Sequence, residues 1–200
     1  MAEYFSNIIQ KSPEWNEIRK GKLTCSNAQA IGNNGKWLDT LVYEAMAWLY
    51  SSWEHINYAN EHIDRGNELE PVARDIYELT TGNKVEQVWF IKYNEYCGGS
   101  PDGIIWDDWL IEIKCISDVK YLKLVLNWEK EIETQYIWQC QMLLYITKRD
   151  WCDLVYFNPN FKKSMVIFRI LPDINKFIDL EKWIGTGIKQ IKEIQSKYIY

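Results

Sequence analysis

GSPDGIIWDDWLIEIKC, residues 99–115, reads as a β-hairpin. Residues 100–106 form one arm, Asp107 and Asp108 the turn, and residues 109–115 the second arm. Side chains alternate along a strand, so Trp109, Ile111, Ile113 and Cys115 share one face while Leu110, Glu112 and Lys114 share the other. Glu112 and Lys114 then lie about 7 Å apart along one face. The hairpin brings Asp102 beside Glu112. Two carboxylates taken out of water repel each other unless a cation sits between them. Oxygen ligands suit a hard ion such as Mg²⁺, which keeps several waters and accepts phosphate oxygens. Lys114 beside such an ion can orient a bound water or help deprotonate it. A structural salt bridge on an ordinary strand accounts for the hairpin alone equally well.

Two hundred residues is the size of one α/β or α+β domain, and residues 1–200 are read as a single one. No signal peptide or membrane span is recognisable, which places the protein in the cytoplasm. Five scattered cysteines without a CxxC pair read as reduced packing residues. A net charge of −5 argues against a protein that simply coats nucleic acid. It leaves room for a nuclease, since a metal site offsets its own carboxylates.

Upstream, residues 12–35 hold two short helices. Ser12 caps the first, with Pro13 at its first position and Gly21 after its end. Ser26 caps the second, which stops at Gly32. Arg19, Lys20, Lys22, Thr24 and Ser26 bring together cations and hydroxyls of the kind that hold phosphate. A third helix runs from Asp39 to about Ser52. Residues 57–81 are helical, kinked or started at Pro71, with Leu69, Val72, Ala73, Ile76 and Leu79 as the apolar stripe and Glu70 at its edge. A strand over 85–91 leads to the hairpin. Helices follow over 117–127 and 132–147, where Gln139 is placed to bond to the strand that carries Glu112. Strands over 151–157 and 164–170 flank the Asn158–Pro159–Asn160 turn, and a terminal helix over 173–198 is loosened or interrupted at Gly185 and Gly187.

Ser100-Pro101-Asp102, nine residues, then Glu112-Ile113-Lys114 resembles the PD-(D/E)xK nuclease signature. With Trp15-x3-Arg19-x4-Thr24-x-Ser26, Gly66-x3-Glu70-x2-Ala73-Arg74-x2-Tyr77 and Gln139-Cys140-Gln141, the order of motifs from about residue 13 to about 170 is similar to the phage lambda exonuclease and YqaJ family of viral recombination nucleases. Cys25 stands where that family commonly has Ala. The resemblance implies a restriction-endonuclease-like α/β (α+β) core, a central mixed β-sheet flanked by helices. It implies that Asp102, Glu112 and the Ile113 carbonyl bind one Mg²⁺, and that Glu70 and Asp102 share a second, with Mn²⁺ as a substitute. Lys114 would position or activate the attacking water, Gln139 would support the site, and Arg19, Thr24 and Ser26 would hold a 5′ phosphate. The activity implied is 5′-to-3′ degradation of linear double-stranded DNA by a ring-shaped trimer, beside a single-strand annealing protein, in a bacterial host or prophage setting.

Two alternatives remain open at this point. A restriction or junction-resolving endonuclease can use the same hairpin, although no base-reading element is evident. A DNA-binding module without activity is the other, and the complete set Glu70, Asp102, Glu112, Lys114 argues against it.

Overall fold

The computed structural model describes residues 2–10, 12–33, 35–51 and 61–198, except the side chains of 61–64 and 67. The expected hairpin is present. Strands β5 (Gly103–Ile105) and β6 (Trp109–Lys114) pair antiparallel, with Gly103 opposite Ile111 and Ile105 opposite Trp109. The first arm is shorter than expected, since residues 100–102 precede the strand. β6 also pairs in parallel with β7 (Trp151–Phe157), which pairs antiparallel with β8 (Met165–Ile170).

This sheet has the order β5-β6-β7-β8. A second one has the order β1-β3-β4-β2, from β1 (Glu3–Phe5), β2 (Leu23–Thr24), β3 (Phe90–Asn94) and β4 (Cys97–Gly99). Residues 85–91 therefore do not form one strand. Glu86 makes an isolated bridge to Ile104, and the strand proper begins at Phe90.

Alternation along β6 sorts the core into two layers. Trp109, Ile111 and Ile113 face α4 (Glu61–Thr81), packing with Ala73, Tyr77, Val155 and Phe157. Leu110 faces the other way, into the cluster formed with α2 (Ala28–Gly32), α3 (Leu38–Tyr50), α6 (Thr134–Thr147) and α7 (Ile174–Tyr198). Helix α4 is continuous through Pro71 and stops before Gly82, whose φ of +75° suits glycine. The expected residues 57–60 of this helical region, and Ser52 at the end of α3, lie outside the described residues. Its buried stripe is Leu69, Ala73, Ile76 and Tyr77, a helical repeat of four and three. Val72 and Leu79 point to solvent, contrary to expectation.

Tyr77 also fixes the helix by a polar contact. Its hydroxyl donates to Asp153 at 2.7 Å, and Arg169 closes on the same buried carboxylate at 3.0 and 3.2 Å. Helix α1 (Pro13–Arg19) has the expected cap, the Trp15 N–H donating to Ser12 Oγ at 3.2 Å. Ser26 is not a cap. It lies inside a 3-10 turn, Cys25–Asn27, that precedes α2, and α2 has no side-chain cap. Helix α5 (Asp118–Asn127) follows β6, and a second 3-10 turn, Trp128–Glu131, delays α6 by two residues.

The terminal helix α7 is unbroken at Gly185 and Gly187. Gly187 is there for closeness: a Cβ would stand 2.8 Å from Leu23 Cδ1 and 3.1 Å from Leu38 Cδ1. A Cβ at Gly185 would meet nothing within 4 Å. Gly185→Ala is therefore expected to stabilise the fold by up to about 1 kcal/mol. Gly187→Ala is expected to destabilise it by ~1 kcal/mol or more, overpacking outweighing helix propensity. Thermal unfolding of the two variants checks the opposite signs.

Candidate active site

The centre of the site is Glu112 of β6, opposite Leu154 of β7 and only 2% exposed. Extending the hairpin register by one residue sets Asp102 opposite it. Asp102 Oδ2 accepts from the Ile113 N–H at 2.6 Å, which ties this carboxylate to the strand carrying the other. Lys114 Nζ and Gln139 Nε2 both donate to Glu112 Oε1, at 2.6 and 2.5 Å. Glu112 Oε2 is buried without a hydrogen-bond partner. Such an oxygen is costly to leave unsatisfied, and it is a free ligand position.

Charge at this spot is concentrated. Burial pushes the Glu112 carboxyl up to about 8, Asp102 and Glu70 add to the rise, and Lys114 opposes it. Burial alone would lower Lys114, but Glu112 and Asp102 more than offset it and hold the side chain as an ammonium, above its ordinary range. That ammonium also sits 4.9 Å from the centre of the Tyr136 ring. Neighbouring Cys115 is pushed up to about 12 by burial and by Asp102 and Glu70, so it stays a thiol and is no nucleophile.

Glu70, on α4, reaches the site from the other layer. Its carboxylate accepts from Arg74 Nη2 at 2.6 Å, and its charge is felt at both Glu112 and Cys115. Gln87, turned with its oxygen toward Arg74, takes two further hydrogen bonds from that guanidinium. Among the described residues no three acidic, histidine or cysteine side chains converge as a ready cage. The carboxylates are instead engaged by Arg74, by the Ile113 N–H, and by Lys114 with Gln139. The donors are all hard oxygens, with the unpartnered Glu112 Oε2 among them, and this chemistry fits a divalent cation of the Mg²⁺ type.

Of the residues expected to hold phosphate, Arg19, Thr24 and Ser26 lie at the same end, whereas Lys20 pairs with Glu17 at 2.7 Å. Arg19 Nη1 donates to Ser100 Oγ at 3.4 Å, two residues before Asp102, and its guanidinium stacks 4.1 Å from the Trp15 ring. Trp15 Nε1 in turn donates to Trp89 O and Ser100 Oγ. Burial lowers Arg19 to about 10, still a cation at neutral pH. The hydroxyls of Thr24 and Ser26 are 3.0 Å apart, Thr24 buried and Ser26 exposed. Cys25, between them, packs so tightly on Gly99 that a Cβ there would collide with its sulfur. Sequence reasoning assigned no role to Arg74, Tyr136 or the Ser100 hydroxyl. The signals for Arg74 and Ser100 were their spacings, four residues from Glu70 and two from Asp102; Tyr136 carried none.

Residues 14–150 match the model of the YqaJ-like viral recombinase domain. The chain belongs to the YqaJ-like viral recombinase family. No curated protein matches its sequence. Among solved structures it is similar to an alkaline exonuclease from Laribacter hongkongensis, with 26% identity, a TM-score of 0.80, and 94% of this chain and 96% of that one covered. The same exonuclease in complex with dAMP aligns with a TM-score of 0.78 and 26% identity over the same shares. A phage-related exonuclease from Haemophilus somnus 129PT shares the fold, with a TM-score of 0.64 at 14% identity, covering 92% of this chain and 99% of that one.

Replacing Asp102 with Asn keeps an acceptor for the Ile113 N–H and removes the nearest like charge from Glu112. Asp102→Asn is expected to bring Glu112 down from about 8, but not to the ordinary carboxylate range, because burial remains the larger cause. Carboxyl-carbon NMR titration of the metal-free protein checks this. A rise, or no change, would contradict it.

Proposed function

We propose that this family member is a Mg²⁺-dependent exonuclease that hydrolyses phosphodiester bonds of linear double-stranded DNA from the 5′ end, in phage-type recombination and end resection. The observation that carries the reading is the buried Glu112 carboxylate, faced by Asp102 and Lys114 and left with one unbonded oxygen. Two neighbours of known structure at 26% identity are an alkaline exonuclease alone and with dAMP, a deoxynucleotide of the kind such hydrolysis releases.

Asp102, Glu112 and the Ile113 carbonyl would hold one ion, and Glu70 with Asp102 a second. When bound, the ions supply a water of lowered pKa and stabilisation of the departing oxygen. The remaining work belongs to the chain. Lys114, kept as an ammonium by its two carboxylate neighbours, orients the nucleophilic water toward phosphorus. Gln139 fixes the Glu112 carboxylate so that Oε2 stays available. Arg74 holds Glu70 on α4, and Tyr77 with Asp153 holds α4 on the sheet. Arg19, pinned between Trp15 and Ser100, offers its fork of donors to a terminal 5′ phosphate, with Thr24 and Ser26 as hydroxyl partners. Holding that phosphate sets the scissile bond against the carboxylates and improves positioning more than overall affinity.

A chain of net charge −5 grips a polyanion weakly from one side. A closed homotrimeric ring around the DNA, with a single-strand annealing protein as partner, removes that requirement, and the whole chain would act as one nuclease domain in the host cytoplasm. Among the described residues no helix is long and apolar enough to cross a membrane.

The test uses linear duplex labelled at its 5′ or 3′ ends, with 5′-phosphate or 5′-hydroxyl termini, and closed circular duplex, in Mg²⁺ and in EDTA. The expected outcome is Mg²⁺-dependent release of 5′ label from linear DNA only, faster from the phosphorylated end. Asp102→Ala and Lys114→Ala should each lower the rate ~10²-fold or more with the fold retained. Arg19→Ala should narrow the difference between the two ends. Nicking of the circle would indicate an endonuclease, and turnover in EDTA would remove the metal from the mechanism.

A further inference from the structure

Trp128 occupies a backbone position that glycine would fill without strain. It ends helix α5 at φ +59° and ψ −135°, yet it carries the largest side chain, 44% exposed. The indole meets Phe168 edge to face, with ring centroids 5.0 Å apart, and the Lys163 ammonium lies over the indole, 4.9 Å from its centre. Phe168 leads to Tyr156 at 6.0 Å, Tyr156 to Tyr136 at 6.2 Å, and Tyr136 to Lys114 at 4.9 Å. Phe168, and the exposed ring packed against it, thus lie on the sheet face of the active site, with β8 two strand spacings or about 10 Å from β6.

The charges around it are unequal. Lys123, Lys130, Lys162 and Lys163 are exposed, and none has a carboxylate partner among the described residues. The acids nearby are mostly engaged within the protein. Asp118 accepts from Asn158 and Asn160, Glu131 from Asn127, and Glu133 from Lys120 and Gln135. Lys120 and Arg65 offset Glu133 and Asp118, but an amide donor does not neutralise Glu131, so among the described residues Glu129 and Glu131 stand against four lysines.

Trp106 supplies the contrast. It is also exposed, at 69%, and also at positive φ, +52°. Its exposed neighbours, however, are the carboxylates of Asp107, Asp108 and Asp150, which outnumber the buried cation bonded to its carbonyl, Arg149, and would repel a phosphate chain. The two indoles differ in the sign of charge beside them.

An exposed aromatic ring under the Lys163 ammonium, with Lys123, Lys130 and Lys162 on the neighbouring segments, matches a nucleic-acid strand whose bases are free to stack, and not a duplex, whose bases are already stacked. We propose that the surface formed by Trp128, Lys123, Lys130, Lys162 and Lys163 binds single-stranded DNA, a base stacking on the indole while the ammonium groups contact the phosphates. The inference deepens the exonuclease reading, on which it rests for the source of the strand. Digestion of one strand from its 5′ end leaves the complementary strand unpaired next to the site.

The test is fluorescence anisotropy of a labelled oligothymidylate of about 12 nucleotides with the full chain in EDTA, as a function of salt. Trp128→Gly relieves the backbone position and removes the ring, so the variant keeps its fold, checked by circular dichroism. It is expected to weaken binding by about fivefold or more, and Trp128→Phe to restore most of it. The Lys162→Gln/Lys163→Gln double variant should lower the slope of log affinity against log salt by roughly 1.4. Trp106→Ala should bind as wild type. Unchanged binding by Trp128→Gly, or equal losses for Trp106→Ala, would overturn the proposal. So would competition by polyglutamate as strong as that by the oligonucleotide, which would mark a general anion patch open to acidic proteins. Duplex digestion by the same proteins is measured separately. Strand binding without digestion would support this surface and count against the exonuclease reading, whereas digestion without strand binding would do the reverse.

Discussion

A carboxylate buried in the middle of a four-stranded sheet is the constraint on which the rest of this structure depends. Glu112 is hemmed in by β7 on one side and by the Asp102 segment leading into β5 on the other, and is buried away from water. Its charge must be met from within. The chain meets it by placing Lys114 two residues along the same face, Gln139 on the helix above, and a second carboxylate, Asp102, on the adjacent arm. The first two stabilise the anion and the third destabilises it. Apolar cores do not collect such groups without a cause, because replacing a buried charge cluster with packed hydrocarbon is often neutral or stabilising. A cation that binds between Asp102 and Glu112 turns their repulsion into attraction, and the unbonded Glu112 Oε2 gives it a ligand.

The surrounding elements serve that placement. Helix α4 brings Glu70 over from the opposite layer, and its position is set by packing of Ala73 and Tyr77 and by the Tyr77–Asp153–Arg169 cluster. Helix α1 and the turn after β2 bring Arg19, Thr24 and Ser26 to the same end, where Ser100 joins Arg19 to the segment bearing Asp102. Cys25 and Gly99 fit against each other at the base of that turn. The family's commoner Ala would be smaller here, so the cysteine fills space and leaves both hydroxyls where they are.

Much of this was legible in the sequence wherever a short period or a local rule governed it. Alternation sorted Glu112 and Lys114 from Trp109, Ile111 and Ile113, and the structure divides them the same way. Ser12, Pro13 and Gly21 bounded α1. A glutamine set among the apolar residues of α6 needs a partner, and Gln139 finds it in Glu112. What was not legible depends on distant partners. Strands of two or three residues, such as β1, β2 and β4, carry no periodicity to read. Gly187 looked like a helix breaker because its reason, the approach of Leu23 and Leu38, is about 150 residues away in the chain. Ser26 resembled a cap by residue type, yet the backbone there enters a 3-10 turn first. Val72 and Leu79 fitted an apolar stripe, but the true one is set by where β6 and β7 lie under the helix.

The decisive question is whether Asp102 and Glu112 receive a divalent cation. The most direct measurement is calorimetric titration of the metal-free protein with Mg²⁺, and with Ca²⁺ as a non-turnover probe, in buffers of different ionisation enthalpy from pH 6.5 to 9. Because the Glu112 carboxyl titrates at about 8, a cation bound below that pH must displace its proton. Binding should tighten as pH rises, release close to one proton per site near pH 7, release almost none near pH 9, and vanish in Glu112→Gln. Absence of saturable binding at millimolar metal, or affinity and proton release unchanged in Glu112→Gln, would contradict the account.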